Sequence, residues 1–444
     1  MKKFIPVIIL CLAIIFRFLL APTTFHSDLL SQAGWGEYIS QTGSKGFYSH
    51  NIWSFSWPNH PPLTSLYYGF CYRIYLQISL RFHQSLFLFN RIGLSSVRYT
   101  KFVNSLNSIV SPEIPFPLGF LLSLKIFPII FDLLIGLLIY YLAKINHSNP
   151  IKFLLIYLIS PFSWYLSSLW GQTDQIAGFL TIVSFLLLTN NPIISILLFF
   201  LGASIKPTSV FLAPLFLFIL IKNKVSLKKI IIGVIISLGL NIMIFRPFSD
   251  LNLYKFTTDI LLPRMFDRPP RLTTNSYNFW HIFALDRGWS DQKTFLFIPA
   301  NFWSGIFYIV INFLAFKIIK VKNIKSIIAS IFIVSFGSWL FLTNMLERYS
   351  FVGIITGLVL AIYYPRLLKY WITLSIIYWL NLLRGWWFPE FLAPLKYIQT
   401  TNNYNAGLFL SLGNLLVYLK IVLFLNNENF CPDQVTKNNK RCLK

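Results

Sequence analysis

Asp28 lies in "FHSDLLSQAGWGEYI", a few residues past the first long apolar run, in a chain of 444 residues that holds only 14 acids. Its aromatic and apolar neighbours would partly desolvate a carboxylate and raise its pKa. That suits a general base that takes a proton from a hydroxyl. The same residue also suits a helix N-cap, because Ser27 and Asp28 precede a plausible amphipathic helix. Three short turns between apolar runs carry further polar groups. "WGQTDQ" holds Gln172 and Asp174; Gly171 permits a tight turn, and Thr173 or Asp174 can cap the next helix. "SIKPTS" holds Lys206 ahead of Pro207, a residue suited to a first helical position, and the cation is expected to point at the surface. "NMLERYS" holds Glu347 and Arg348, neighbours that cannot share one helical face, so one can serve a site and the other the fold.

Two more segments hold polar groups in apolar surroundings. In "SWPNHPPLTSLYYG", Pro58, Pro61 and Pro62 stiffen the chain and hold Asn59 and His60 extended, at a site or simply at a rigid helix entry. In "LKIFPIIFDLLIGLLIY", Lys125 and Asp132 are seven apart and share a helical face. Two turns separate them by about 10 Å, too far for a direct pair. Each must find other partners in the protein interior, and Asp132 reads as structural rather than catalytic. Four cysteines (Cys11, Cys71, Cys431, Cys442) lack the close paired spacing of a zinc site or a disulfide framework.

The elements that must position these groups are membrane helices. The chain is 56% hydrophobic and 18% aromatic but only 12% charged, and its mean hydropathy is +0.63. A soluble chain carries roughly twice that charge. Apolar runs long enough for a bilayer core recur along it, which makes it an all-α integral membrane protein. About twelve spans are expected, near 4–21, 119–143, 152–168, 174–190, 192–204, 207–221, 230–246, 297–316, 326–342, 349–364, 370–387 and 406–425. Residues 1–425 then form one transmembrane domain with two long loops, 22–117 and 247–296. Each loop is expected to carry helices lying on the membrane, such as "LTSLYYGFCYRIYLQISLRF". Read as a thirteenth span, that segment would invert the later topology. Residues 426–444 read as a disordered tail. The start, "MKKFIPVIILCLAIIFRFLLAP", resembles a signal sequence, but it lacks a clean cleavage site and Arg17 interrupts its apolar core. We read it as a retained first helix.

Charge assigns the sides. Alternate short loops hold Lys144 and Lys152; Lys222, Lys224, Lys228 and Lys229; Lys317, Lys320, Lys322 and Lys325; Arg366 and Lys369. With an even span count these loops and both termini are cytoplasmic, which accounts for most of the net charge of +24 without nucleic acid. The opposite face carries both long loops and the polar turns with Asp174, Lys206, Glu347 and Arg348. Ionisable groups gathered at one membrane face are the usual sign of a substrate pathway or active site.

In their order along the chain these residues resemble a family. Asp28, "NHPPLTSLYYG", "LKIFPIIFDLLIGLLIY", "SPFSWYLSSLWGQTDQIAGFL", "ASIKPTSVFLAPLFLF", "LTTNSYNFWHIF" and "LERYSFVGII" are similar to the GT-C class of multi-spanning glycosyltransferases, nearest to bacterial mannosyltransferase-like members. The resemblance implies a GT-C-like helix bundle in the cell membrane and transfer of a hexose, such as mannose, from a polyprenyl-phosphate donor to a glycan, lipid or protein acceptor at the outer face. Asp28 would be the general base of an inverting reaction. Arg348, Lys206 and Arg246, in that order, would bind the phosphate. Asn275, Tyr277, Asn278, Gln172 and His60 would hydrogen-bond sugar hydroxyls, with Asp174 and Glu347 beside them, and Trp280 would stack on the ring. Many members carry two acids in the first outer loop; here His26 or the more distant Glu37 stands in for the second. The class leaves a divalent metal open, and nothing in the sequence indicates one. A lipid-borne donor accords with the absence of a Gly-rich nucleotide loop. The rival readings are a transporter or lipid flippase of glycoconjugate assembly, which would place its site at mid-membrane on broken helices, and a non-catalytic assembly protein.

Overall fold

The computed structural model describes residues 4–49, 51–52, 57–81, 116–249, 252–266, 269–285, 287–385 and 404–430. Cys431, Cys442 and most of the expected tail lie outside them, and the last helix runs on to Phe430. Most of the described residues are helical. A two-residue hairpin, β1 (Thr294–Phe295) with β2 (Ile298–Pro299), interrupts the second long loop. The chain forms two compact units, the first of Met1–Val210 with Val225–Pro269, the second of Phe211–Lys224 with Pro270–Lys444.

The first unit holds α1 (Ile5–Leu20), α2 (Ser27–Thr42), α3 (Pro62–Arg81), α4 (Leu118–Ile145), α5 (Pro150–Ile159), α6 (Pro161–Trp170), α7 (Asp174–Leu187), α8 (Pro192–Ile205), and, after α9 (Ala213–Lys222) of the second unit, the helices α10 (Leu227–Phe245) and α11 (253–266). Proline starts α3, α5, α6 and α8, where its missing N–H costs no helical bond. Pro161 also divides α5 from α6, which meet at a bend of 54°. Asn149 caps α5 by accepting the Lys152 N–H at 3.1 Å. α2 lies against α3, with Gly36 at the contact; a Cβ there would sit 2.5 Å from the Tyr68 carbonyl oxygen. The core of α2, α3 and the start of α4 is rich in aromatics, with Phe47, Tyr48, Tyr68, Phe120 and Phe248 buried.

The second unit holds α9 (Ala213–Lys222), α12 (His281–Ala284), α13 (Ala300–Ile318), α14 (Ile324–Phe341), α15 (Phe351–Tyr363), α16 (Leu368–Gly385) and α17 (Tyr404–Phe430). α14 is its axis: buried along nearly its whole length, packed by α13, α15 and α17, and capped by Asn323.

Among the described residues each of the twelve expected segments contains helix, though 297–299 is not helical. Among the described residues six helices are long and apolar enough to cross a membrane unaided, and a seventh results if α5 and α6 count as one broken span. The helices at 174–187, 192–205, 207–222 and 351–363 are shorter than the bilayer core needs. α1 and α10 are apolar yet mostly unburied by protein, with Val7, Ile8, Leu12, Leu19, Ile235 and Met243 exposed. Apolar surface of that extent is tolerated facing lipid, not water.

Candidate functional site

The site of the first unit is built around the junction of α1 and α2. His26, not Ser27 or Asp28, is the N-cap of α2: its Nδ1 accepts the Asp28 backbone N–H at 2.9 Å. Asp28 sits in the first turn, where the helix dipole favours a carboxylate, and its side chain is 36% exposed. Its Oδ2 accepts a hydrogen bond from Gln172 Nε2 at 3.0 Å, across 144 residues of sequence. The His26 ring also lies 4.6 Å from that of Trp170. Glu37 is nine residues along α2, on the opposite face, where it accepts bonds from Gln41 and Tyr72. It does not share a site with Asp28.

The partner turn owes its shape to a π-helical segment, Tyr165–Trp170, at the end of α6. Such segments recur at functional sites. Gly171 closes it in the left-handed region (φ +76°), and the N–H groups of Gly171 and Gln172 both reach the Leu166 carbonyl. Side chains seldom adopt that φ, and a Cβ at Gly171 would lie 3.0 Å from Lys125 Cγ.

Lys125 couples the two segments. Its ammonium is fully buried and donates to the carbonyls of Ala21 (2.7 Å) and Thr24 (2.7 Å) before α2, and of Leu169 (2.8 Å) in the π-segment. Three donors meet three acceptors, and the Phe25 ring lies 4.5 Å from the charge. Asp132, seven residues on, accepts from Arg17 Nε (2.6 Å), Tyr157 (2.5 Å) and Ser167 (3.2 Å). The Arg17 guanidinium also reaches Ser163 at 3.0 Å. Both charges are fully buried. Lys125 and Asp132 therefore have separate partners, as their spacing requires, and both hold the frame around the Trp-Gly-Gln turn.

Two more motifs join the same end of this unit. Thr64, early in α3, donates to the Ile205 carbonyl at the end of α8 at 2.5 Å. Lys206 does not point at the surface: it pairs with Asp174, and their side chains are 12% and 4% exposed. Neither Thr173 nor Asp174 makes a side-chain cap; Asp174 begins α7 and faces the lysine instead. His60 bonds Tyr68 through Nδ1 (2.7 Å), takes the Tyr48 hydroxyl on its carbonyl (2.6 Å), and sets its ring edge-on to Trp35 of α2. Arg246 is exposed, and Pro247 beside it accepts a bond from Ser44, beyond the far end of α2. That end is about 20 Å from Asp28 by helix length, so Arg246 is not brought to the carboxylate.

In the second unit Glu347 and Arg348 lie in a turn and pair with each other at 2.7 Å. The turn is pinned by Trp339 Nε1 to the Leu346 carbonyl (2.9 Å) and by Ser276 to the Met345 carbonyl (2.5 Å). Of the residues expected to bind sugar in 275–280, Asn275 is exposed, whereas Asn278 and Trp280 are buried with their side chains bonded to the chain. Asn381 bonds both the Asn275 carbonyl (2.6 Å) and the Tyr277 N–H (3.0 Å), and Asn414 bonds the Tyr277 carbonyl (2.9 Å). The Asn278 amide donates to the Leu342 carbonyl at 3.3 Å. Trp280 is fully buried among Phe279, Phe295 and Phe307 with its N–H on the Phe341 carbonyl, so neither face is open to a sugar ring. Burial pushes the Tyr277 hydroxyl up, an effect that nearby Arg384 opposes, and holds neutral His281 down at about 3, with Arg384 adding to it. Asn381 and Arg384 escaped the sequence reading, although two polar residues three apart in the apolar "WLNLLRG" were the available signal.

Among the described residues, no three His, Cys, Asp or Glu side chains gather closely enough to hold a metal ion. No protein-family model matches the chain, and no curated protein matches it.

Proposed function

We propose that the protein is a membrane hexosyltransferase of GT-C type that uses a polyprenyl-phosphate sugar donor, with Asp28 as its general base. One observation carries the reading. The acid after the first helix and the Trp-Gly-Gln turn, 144 residues apart, meet at a single carboxylate that is partly open and held from two sides. In the step, the acceptor oxygen forms a bond to the anomeric carbon as its proton passes to Asp28. The bond from that carbon to the phosphate oxygen breaks, and the polyprenyl phosphate leaves with the electron pair. Gln172 fixes the carboxylate; Lys206 is the cation of this unit that we assign to the phosphate, beside its orienting carboxylate Asp174. The Lys-rich connections would be cytoplasmic and the Asp28 end at the outer face of the cell membrane.

The test is transfer of radiolabelled hexose from polyprenyl phosphate by the purified protein. Asp28→Asn should abolish it while the protein remains folded and inserted; normal transfer by that variant removes Asp28 from the role. One observation favours the transporter reading: the break between α5 and α6, a bend of the kind that transporters use for binding. Uptake or flipping of labelled lipid-linked sugar by proteoliposomes, without sugar transfer, would decide for it.

A further inference from the structure

Asp28, Gln32 and Trp35 follow one another at i, i+4 and i+7 on α2 and share one face. Helical rise places Gln32 and Trp35 about 6 and 10 Å beyond Asp28 along the axis. Both are 2% exposed. Among the described residues, Gln32 Oε1 and the Trp35 indole N–H have no hydrogen-bond partner. Burying such groups unpaired is costly, and native interiors seldom do it without a purpose. Packing gives no reason for the choice, since Leu and Phe would fill similar space at no polar cost. Trp35 is meanwhile held in place, its ring against His60 (5.3 Å) and Tyr68 (6.3 Å).

The donor and acceptor types select a ligand class. A carboxamide offers an acceptor and a donor side by side, an indole one donor, and a carboxylate acceptors alone. Adjacent hydroxyls of a pyranose ring each donate and accept, so they can satisfy all three in line. A phosphate would meet the Asp28 charge and the Gln32 carbonyl, and an alkyl chain would leave the amide and indole unpaired. We propose that Gln32 and Trp35 read the hydroxyl groups next to the one that Asp28 deprotonates, so that the acceptor is a sugar ring carrying a vicinal diol rather than a lipid alcohol or a serine. This rests on the transferase reading.

The experiment uses the full chain in lipid nanodiscs, a radiolabelled hexosyl polyprenyl phosphate, and three acceptors: methyl hexopyranosides, their monodeoxy analogues and 1-octanol. The wild type should use a hexoside and lose at least about tenfold in kcat/KM when a hydroxyl next to the accepting one is removed. Gln32→Leu and Trp35→Phe should lose a similar factor on the full hexoside and show little further loss on the deoxy analogue. The KM for the donor and the unfolding midpoint should be unchanged or, for Gln32→Leu, the midpoint should rise. Wild-type discrimination retained in both variants, or octanol serving as well as the hexoside, overturns the inference and leaves the transferase reading standing. A wild type that releases no hexose from any donor overturns both.

Discussion

Removing the Asp132 carboxylate alone should cost far more than removing it together with Arg17. The two charges are fully buried and 2.6 Å apart, and Asp132 also accepts the Tyr157 and Ser167 hydroxyls. Asp132→Leu leaves the guanidinium with neutral acceptors only, the Ser163 hydroxyl at 3.0 Å and the carbonyls of Ala13 and Leu158 at 3.4 Å. Breaking a buried pair from one side costs about 3–5 kcal/mol. Orphaning the Tyr157 hydroxyl adds about 1 kcal/mol or more. Arg17→Met with Asp132→Leu removes both charges and keeps apolar volume, so only the hydroxyl losses remain, about 1–2 kcal/mol. Arg17→Met alone breaks the same pair and should also cost about 3 kcal/mol or more, so the coupling in the double-mutant cycle should reach about 5 kcal/mol, measured by reversible unfolding in mixed micelles with tryptophan fluorescence. Single-variant losses that add to the double-variant loss within about 0.5 kcal/mol would refute the argument that this pair clamps α1 to α4.

Gly171→Ala must adopt a left-handed backbone and bring a Cβ within 3.0 Å of Lys125; it should cost about 1–2 kcal/mol in the same unfolding assay, with Gly171→Asn costing less. Lys125→Met should leave the protein inserted but lower hexose transfer about 100-fold through misplacement of Asp28. Cysteines at 28 and 172 should then cross-link poorly with a short bis-thiol reagent, and unaltered cross-linking and transfer would contradict the coupling role. His281 is held at about 3, well below its usual 6.5, mainly by burial. The unfolded chain therefore binds the extra proton between those values, and stability falls as pH drops from about 6.5 toward 3, by up to about 1.4 kcal/mol per unit. His281→Gln should flatten that part of the pH profile of unfolding. Asp174→Asn should lower transfer more than Lys206→Arg does, because it leaves a largely buried cation without its carboxylate; the reverse order in the hexose-transfer assay would tell against Asp174 orienting Lys206.

Local rules made much of this molecule readable in advance. Pro62 marked a helix entry, apolar run length marked the helices, and the seven-residue spacing of Lys125 and Asp132 required two separate sets of partners. What stayed hidden depends on tertiary neighbours. Arg17 looked like a fault in an apolar run until α4 supplied its carboxylate. Trp280 looked like a sugar platform because residue type says nothing about which aromatic rings enclose it. Lys206 and Asp174 were each read as available groups, and only the approach of the α8 end to the α7 start makes them a pair. The division into two units, each drawn from separate stretches of chain, has no local signature at all.

The link between Asp28 and Gln172 also sets a timetable for synthesis. The ribosome releases the carboxylate 144 residues before the amide that holds it, which at 5–20 residues per second is a wait of roughly 7–30 s. For about the first two thirds of that interval the segment ahead of α2 lacks Lys125, which later gathers its carbonyls, and Arg17 waits in the bilayer for Asp132, 115 residues behind it. The translocon, or a chaperone at the membrane, must therefore shelter an unfinished amino-terminal hairpin until the sixth helix has emerged.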